Sequence, residues 1–129
     1  MTSGLTRVLI VEDHSDLREF MQVALELAGY EVETASQGEA ALRAQSQRPA
    51  AVVITDIFMP QKDGIETINE FRSRFPEVRI IAISGGASIA TKSDYLSVAS
   101  QVGADETLRK PFELDALLAA IARLTKRQA

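Results

Sequence analysis

Three runs in this chain, VLIV at residues 8–11, AVVIT at 51–55 and IIAI at 80–83, are apolar almost throughout. A strand with one wet face alternates polar and apolar residues; a strand without that alternation must be covered on both faces. Between the runs lie longer segments with helical spacing. Leu17, Met21, Ala24, Leu25 and Ala28 fall on one helix face, and Gly29 follows as a left-handed stop. Residues 39–45 form a shorter helix closed by Pro49; Ile65, Ile68, Phe71 and Phe75 form a third apolar face ended by Pro76. Residues 91–102 read as a fourth helix with Gly103 as its stop, and Leu114, Leu117, Leu118, Ile121 and Leu124 as a fifth.

With strands at 8–11, 31–35, 51–55, 79–83 and 104–108, the order is strand then helix, five times. That order predicts an α/β fold: a five-stranded parallel sheet with helices on both faces, doubly wound in the flavodoxin-like manner. The second run, EVETA, alternates, and the fifth, ADETL, is polar, so both belong at edges. The predicted strand order is 2-1-3-4-5. One domain is expected over residues 1–129, with its core at about 7–124.

In such sheets ligands sit beyond the carboxyl ends of the strands, at the switch point between strands 1 and 3. Polar residues fall there in this sequence. Glu12 and Asp13 follow the first run, Asp56 the third, Ser84 the fourth and Lys110 the fifth. Each has an ordinary explanation. Asp13 could cap the helix starting near Ser15, Asp56 and Ser84 could be turn residues, and Lys110 a solvated loop residue. Their shared sheet edge favours a joint role. Three carboxylates crowd together only if cations join them, and one lysine is too few. Oxygen donors without thiols favour a hard ion, Mg2+ first.

Composition narrows the alternatives. Zero cysteines exclude disulfides and thiol chemistry, and a single histidine, His14, excludes a multi-histidine metal site. His14 reads as a solvent-facing residue near the start of the first helix. The net charge of −4 and the lack of a basic stripe argue against direct nucleic-acid binding. No run reaches the ~18 apolar residues of a membrane span, and the first residues, MTSGLTR, lack a signal-peptide core. The expected location is the cytoplasm.

These motifs together resemble the receiver domain of bacterial two-component response regulators. The acidic pair Glu12-Asp13, DIFMP with Gly64 beyond it, Ser84, and KPF at residues 110–112 carry the resemblance. It implies that Asp56 accepts a phosphoryl group from a histidine on a sensor histidine kinase or a histidine phosphotransfer protein. It implies that Glu12, Asp13, Asp56 and the backbone carbonyl of Phe58 hold Mg2+. Ser84 and Lys110 would bind phosphoryl oxygens, and the Lys110-Pro111 bond would be cis. The resemblance further implies a monomer or weak dimer that acts by docking on a partner, and the initial Met and polar tail fit an intact short protein.

The sequence departs from the family pattern at Thr107, where most members carry an aromatic that turns inward on activation. That departure predicts a different or smaller response in the fourth helix, fifth strand and fifth helix. Phe58 is bulky enough to shield an acyl phosphate, though a solvated loop side chain is the simpler reading. Three rival functions fit the sequence less well. A flavin module needs a Ser/Thr-rich loop after the first strand, where this chain has acids. An aspartate phosphohydrolase needs a second aspartate where Phe58 stands. A receiver-like binding module that is never phosphorylated typically lacks an acid or the lysine.

Overall fold

A computed structural model of the chain describes residues 5–57, 64–84 and 99–125. The strands are β1 (Arg7–Val11), β2 (Glu31–Ala35), β3 (Val52–Asp56), β4 (Arg79–Ser84) and β5 (Glu106–Arg109). The helices are α1 (Ser15–Leu27), α2 (Gly38–Gln47), α3 (Gly64–Arg74), the last turn of α4 at residues 99–102, and α5 (Leu114–Thr125). The expected beginning of α4, Gly85-Gly86 and Phe58 lie outside the described residues.

All strand pairings are parallel and the order is β2-β1-β3-β4-β5, as the sequence predicted. The pleat splits each central strand between two cores. Leu9, Val11, Val53, Ile80 and Ala82 pack with Ala41 and Leu42 of α2, Ile68 and Phe71 of α3, and Ala99 of α4. Val8, Ile10, Val52, Ile54, Ile81 and Ile83 pack with Met21 and Leu25 of α1 and Leu117, Ala120 and Ile121 of α5. This two-sided cover explains the unbroken apolar runs. β2 and β5 are the edges, and most of their residues are only half-buried.

The structure corrects three local boundaries. β3 runs one residue later than expected, so Asp56 is its last residue, paired in register with Ile83, and not a turn residue. β4 likewise includes Ser84, in register with Arg109. β5 starts two residues later than expected, because Ala104 closes the end of α4 by donating its N–H to Ala99 O. Gly29 and Gly103 take the left-handed φ their positions require, +100° and +138°. No described helix is long and apolar enough to cross a membrane.

Candidate functional site

The carboxyl ends of β1, β3, β4 and β5 carry the predicted residues. Glu12 directly follows β1 and is buried; its backbone N–H donates to Ala35 O of β2, which continues the sheet by one bond. Asp56 ends β3 and is 5% exposed. Lys110 follows β5, and its backbone N–H donates to Ser84 O at 2.8 Å, which fixes the base of its side chain at the sheet edge. The Lys110-Pro111 bond is cis. Lys110 Nζ donates to Asp56 Oδ2 at 2.9 Å and to Glu12 Oε1 at 3.5 Å. Three residues from three strand ends are thereby joined across the switch point between β1 and β3.

The electrostatics are short of positive charge. Burial, then the negative charge of Asp56, pushes the Glu12 carboxyl up to about 7. The His14 backbone N–H, which donates to Glu12 Oε2 at 3.1 Å, and the Lys110 charge oppose that rise without cancelling it. Burial works against the Lys110 ammonium, but its hydrogen bond to Asp56 and the charges of Asp56 and Glu12 outweigh burial and raise its pKa. One ammonium does not neutralise two buried carboxylates.

Ser84 is fully buried at the end of β4, and its Oγ has no hydrogen-bond partner among the described residues. A buried hydroxyl left without a partner costs ~1–3 kcal/mol, so Ser84 brings to this edge a donor whose acceptor is not among the described residues. Asp13 is exposed. It does not cap α1: the N-cap position is His14, and no side chain bonds the cap there. Asp13 instead joins Glu12 and His14 in a group whose candidate ligand atoms lie within 4.8 Å of one another. His14 is solvent-facing, as expected. Its membership of this group was missed because an isolated histidine beside two acids carries no spacing signal. Arg18 of α1 was also missed. Its guanidinium donates to Glu12 O at 2.9 Å and steadies the turn that carries the acids.

A cation fits this donor set. The excess of carboxylate, the raised Glu12 and the neighbouring carboxylate oxygens of Glu12 and Asp13, with Asp56 joined to Glu12 through Lys110, match a hard divalent ion. Phe58, whose carbonyl the resemblance assigns to the ion, lies outside the described residues.

Gly64, at the first position of α3, sits directly beneath this edge. Its N–H donates to Ile57 O at 2.7 Å, and a Cβ there would fall 2.4 Å from Asp56 O and from Ile57 Cα. Only glycine allows α3 to start so close to the strand end that presents Asp56.

The chain is similar to known proteins in keeping with this geometry. It is 35% identical over 121 residues to the response regulator receiver protein CpdR of Brucella abortus, covering 93% of this chain and 97% of that protein. It is 34% identical over 130 residues to the transcriptional regulatory protein PrrA of Mycobacterium tuberculosis, covering 99% of this chain but 54% of that protein. The chain therefore spans about half the length of PrrA. A solved response regulator receiver domain protein from Clostridium thermocellum superposes with a TM-score of 0.85 at 31% identity, covering 93% of this chain and 94% of the other. The family profile described as the response regulator receiver domain matches residues 8–122. This chain belongs to the response regulator receiver domain family.

Proposed function

We propose that the chain is a phosphoacceptor in two-component signal transduction, with Asp56 as the acceptor. The observation that carries this reading is the cluster of Asp56, Glu12 and Lys110, with Lys110 Nζ 2.9 Å from Asp56 Oδ2, beside a buried Ser84 hydroxyl that has no partner among the described residues. Family membership supports it.

Each residue has a distinct task. An Asp56 carboxylate oxygen attacks phosphorus, the phosphorus–nitrogen bond of a donor phosphohistidine breaks, and the imidazole leaves. Lys110 holds Asp56 before transfer and a phosphoryl oxygen after it. Ser84 donates its hydroxyl to a second oxygen. Glu12, Asp13 and Asp56, with the carbonyl of Phe58, would hold Mg2+. When bound, the ion supplies positive charge across the carboxylate and phosphoryl oxygens. Catalysis of this kind is positioning and charge neutralisation, which a preformed cluster on rigid strand ends supplies.

The donor is a sensor histidine kinase or a histidine phosphotransfer protein, encountered in the cytoplasm. The acyl phosphate changes how the chain docks on a downstream protein, and its hydrolysis, assisted by the same site, ends the signal.

Intact-mass measurement after incubation with acetyl phosphate tests the reading. One added phosphoryl group is expected with Mg2+, none with chelator and none in Asp56→Asn. Failure of the wild type to accept from acetyl phosphate and from any phosphorylated histidine donor would favour a binding module that is never phosphorylated.

A further inference from the structure

The cation reading leaves one neighbour unexplained. The imidazole of His14 offers a ring nitrogen within 4.8 Å of the Glu12 and Asp13 carboxylate oxygens. The proximity has a structural origin. The His14 backbone N–H is held by Glu12 Oε2 at 3.1 Å, and Arg18 ties the Glu12 carbonyl at 2.9 Å. The turn from β1 into α1 is thereby folded back on the Glu12 carboxylate, with the His14 side chain on its solvent side. The ring has no hydrogen-bond partner among the described residues. Two bonds to one ion span roughly 4–4.5 Å, so a small rotation of this exposed ring brings its nitrogen into reach.

We propose that His14 is a ligand, or a ligand exchanged with water, of the divalent cation at this site, and that it biases the site toward nitrogen-accepting ions such as Mn2+ and Co2+ over Mg2+. The inference rests on the cation reading above and deepens it. Without His14 the proposed donors are all oxygens, which suits Mg2+. Magnesium keeps water readily and gains little from an imidazole, whereas first-row transition ions gain in the order Mn2+, Fe2+, Co2+, Ni2+. One nitrogen added to these oxygen donors therefore changes which ion the site selects, while leaving the oxygen ligands that any divalent ion uses.

The test is cation titration of the full chain by calorimetry, with Mg2+ and Mn2+ against wild type and His14→Ala. His14 is exposed and its side chain caps nothing, so the variant keeps the fold, and an unchanged urea unfolding midpoint in EDTA reports this directly. The wild type is expected to prefer Mn2+, and the Mn2+-to-Mg2+ affinity ratio is expected to fall by roughly 10-fold in His14→Ala. Pulsed EPR of the Mn2+ form gives a second readout: a nitrogen coupling present in wild type and lost in the variant. An unchanged ratio with no nitrogen coupling overturns the role of His14 while leaving the cation site standing. No binding of either ion overturns the cation reading itself, and this inference with it.

Discussion

At the scale of single residues, Glu12 and Ser84 show how the site is poised, because each is buried in a state that its ligand would improve. Glu12 is raised from 4.5 to about 7 by burial and by Asp56. Between those values the folded chain keeps a proton that the unfolded chain releases. The favourable contribution is complete below about pH 4.5 and is lost as pH rises through about 7. Glu12→Gln is neutral at every pH. In EDTA it should therefore be more stable than wild type by ~1–3 kcal/mol above neutral pH and indistinguishable near pH 4.5, as urea unfolding at the two extremes would show. A divalent ion should narrow that gap by stabilising the wild type more than the variant. Ser84 makes the complementary case. Its hydroxyl has no partner among the described residues, so Ser84→Ala should leave stability unchanged or slightly raised. Phosphoryl acceptance from acetyl phosphate should nevertheless slow by roughly 10- to 100-fold, since a donor to the phosphoryl oxygen is gone. A large loss of stability together with an unchanged rate would reverse the assignment.

At the scale of elements, the strand ends were legible and the turns between them were not. Unbroken apolar runs required two covered faces, and those runs gave β1, β3 and β4 their central places. The alternation in EVETA placed β2 at an edge. Asp56 and Ser84 were assigned to the loops because a polar residue after an apolar run reads as an ending. In the sheet both still pair, with Ile83 and Arg109, and that pairing is what holds them rigid. Two long-range supports had no local signal. Gly64 entered the sequence reading only as a residue of the motif beyond Asp56; the reason for it, its packing on the backbone of Asp56 and Ile57, has no local signal. Gly64→Ala meets only backbone atoms, which cannot yield, and should cost about 2–4 kcal/mol while impairing phosphorylation by displacing Asp56. Arg72 of α3 is the other. Its guanidinium donates to Pro76 O, Val78 O, Gly103 O and Asp105 Oδ2, at 2.8–2.9 Å throughout, and the same Asp105 oxygen accepts the Ile80 N–H. One side chain thus ties α3 to the start of β4 and to the turn between α4 and β5, at the end of the sheet opposite the site. Arg72→Ala should destabilise by ~2 kcal/mol, because it strands the two partly buried carbonyls of Val78 and Gly103, while leaving acceptance by Asp56 intact.

At the scale of the whole molecule, the question is how far a change at Asp56 travels. The route available through β5 is set by Thr107, which is half-buried and in register with Ala82 of β4. An aromatic side chain at that place would move 150–250 Å2 of surface in or out of water, enough to shift an adjoining helix. Threonine has no such area to move. β5 is also fastened to α5 by Arg123, which donates to both Glu106 oxygens at 2.9 and 2.7 Å. The pairing holds Glu106 below the usual carboxylate range through the Arg123 hydrogen bond. A threonine at 107 beside a tied edge strand would confine the response to the site, under the proposed function. Loading the site with a beryllofluoride phosphoryl mimic should therefore perturb amide shifts strongly around Glu12, Asp56, Ser84 and Lys110 and weakly along α5. Thr107→Tyr should extend the strong changes into β5 and α5, because the introduced ring has area to bury when Ser84 moves toward the ligand. Large shifts along residues 114–125 in the wild type would show that the signal leaves the site by a path that does not need an aromatic at position 107.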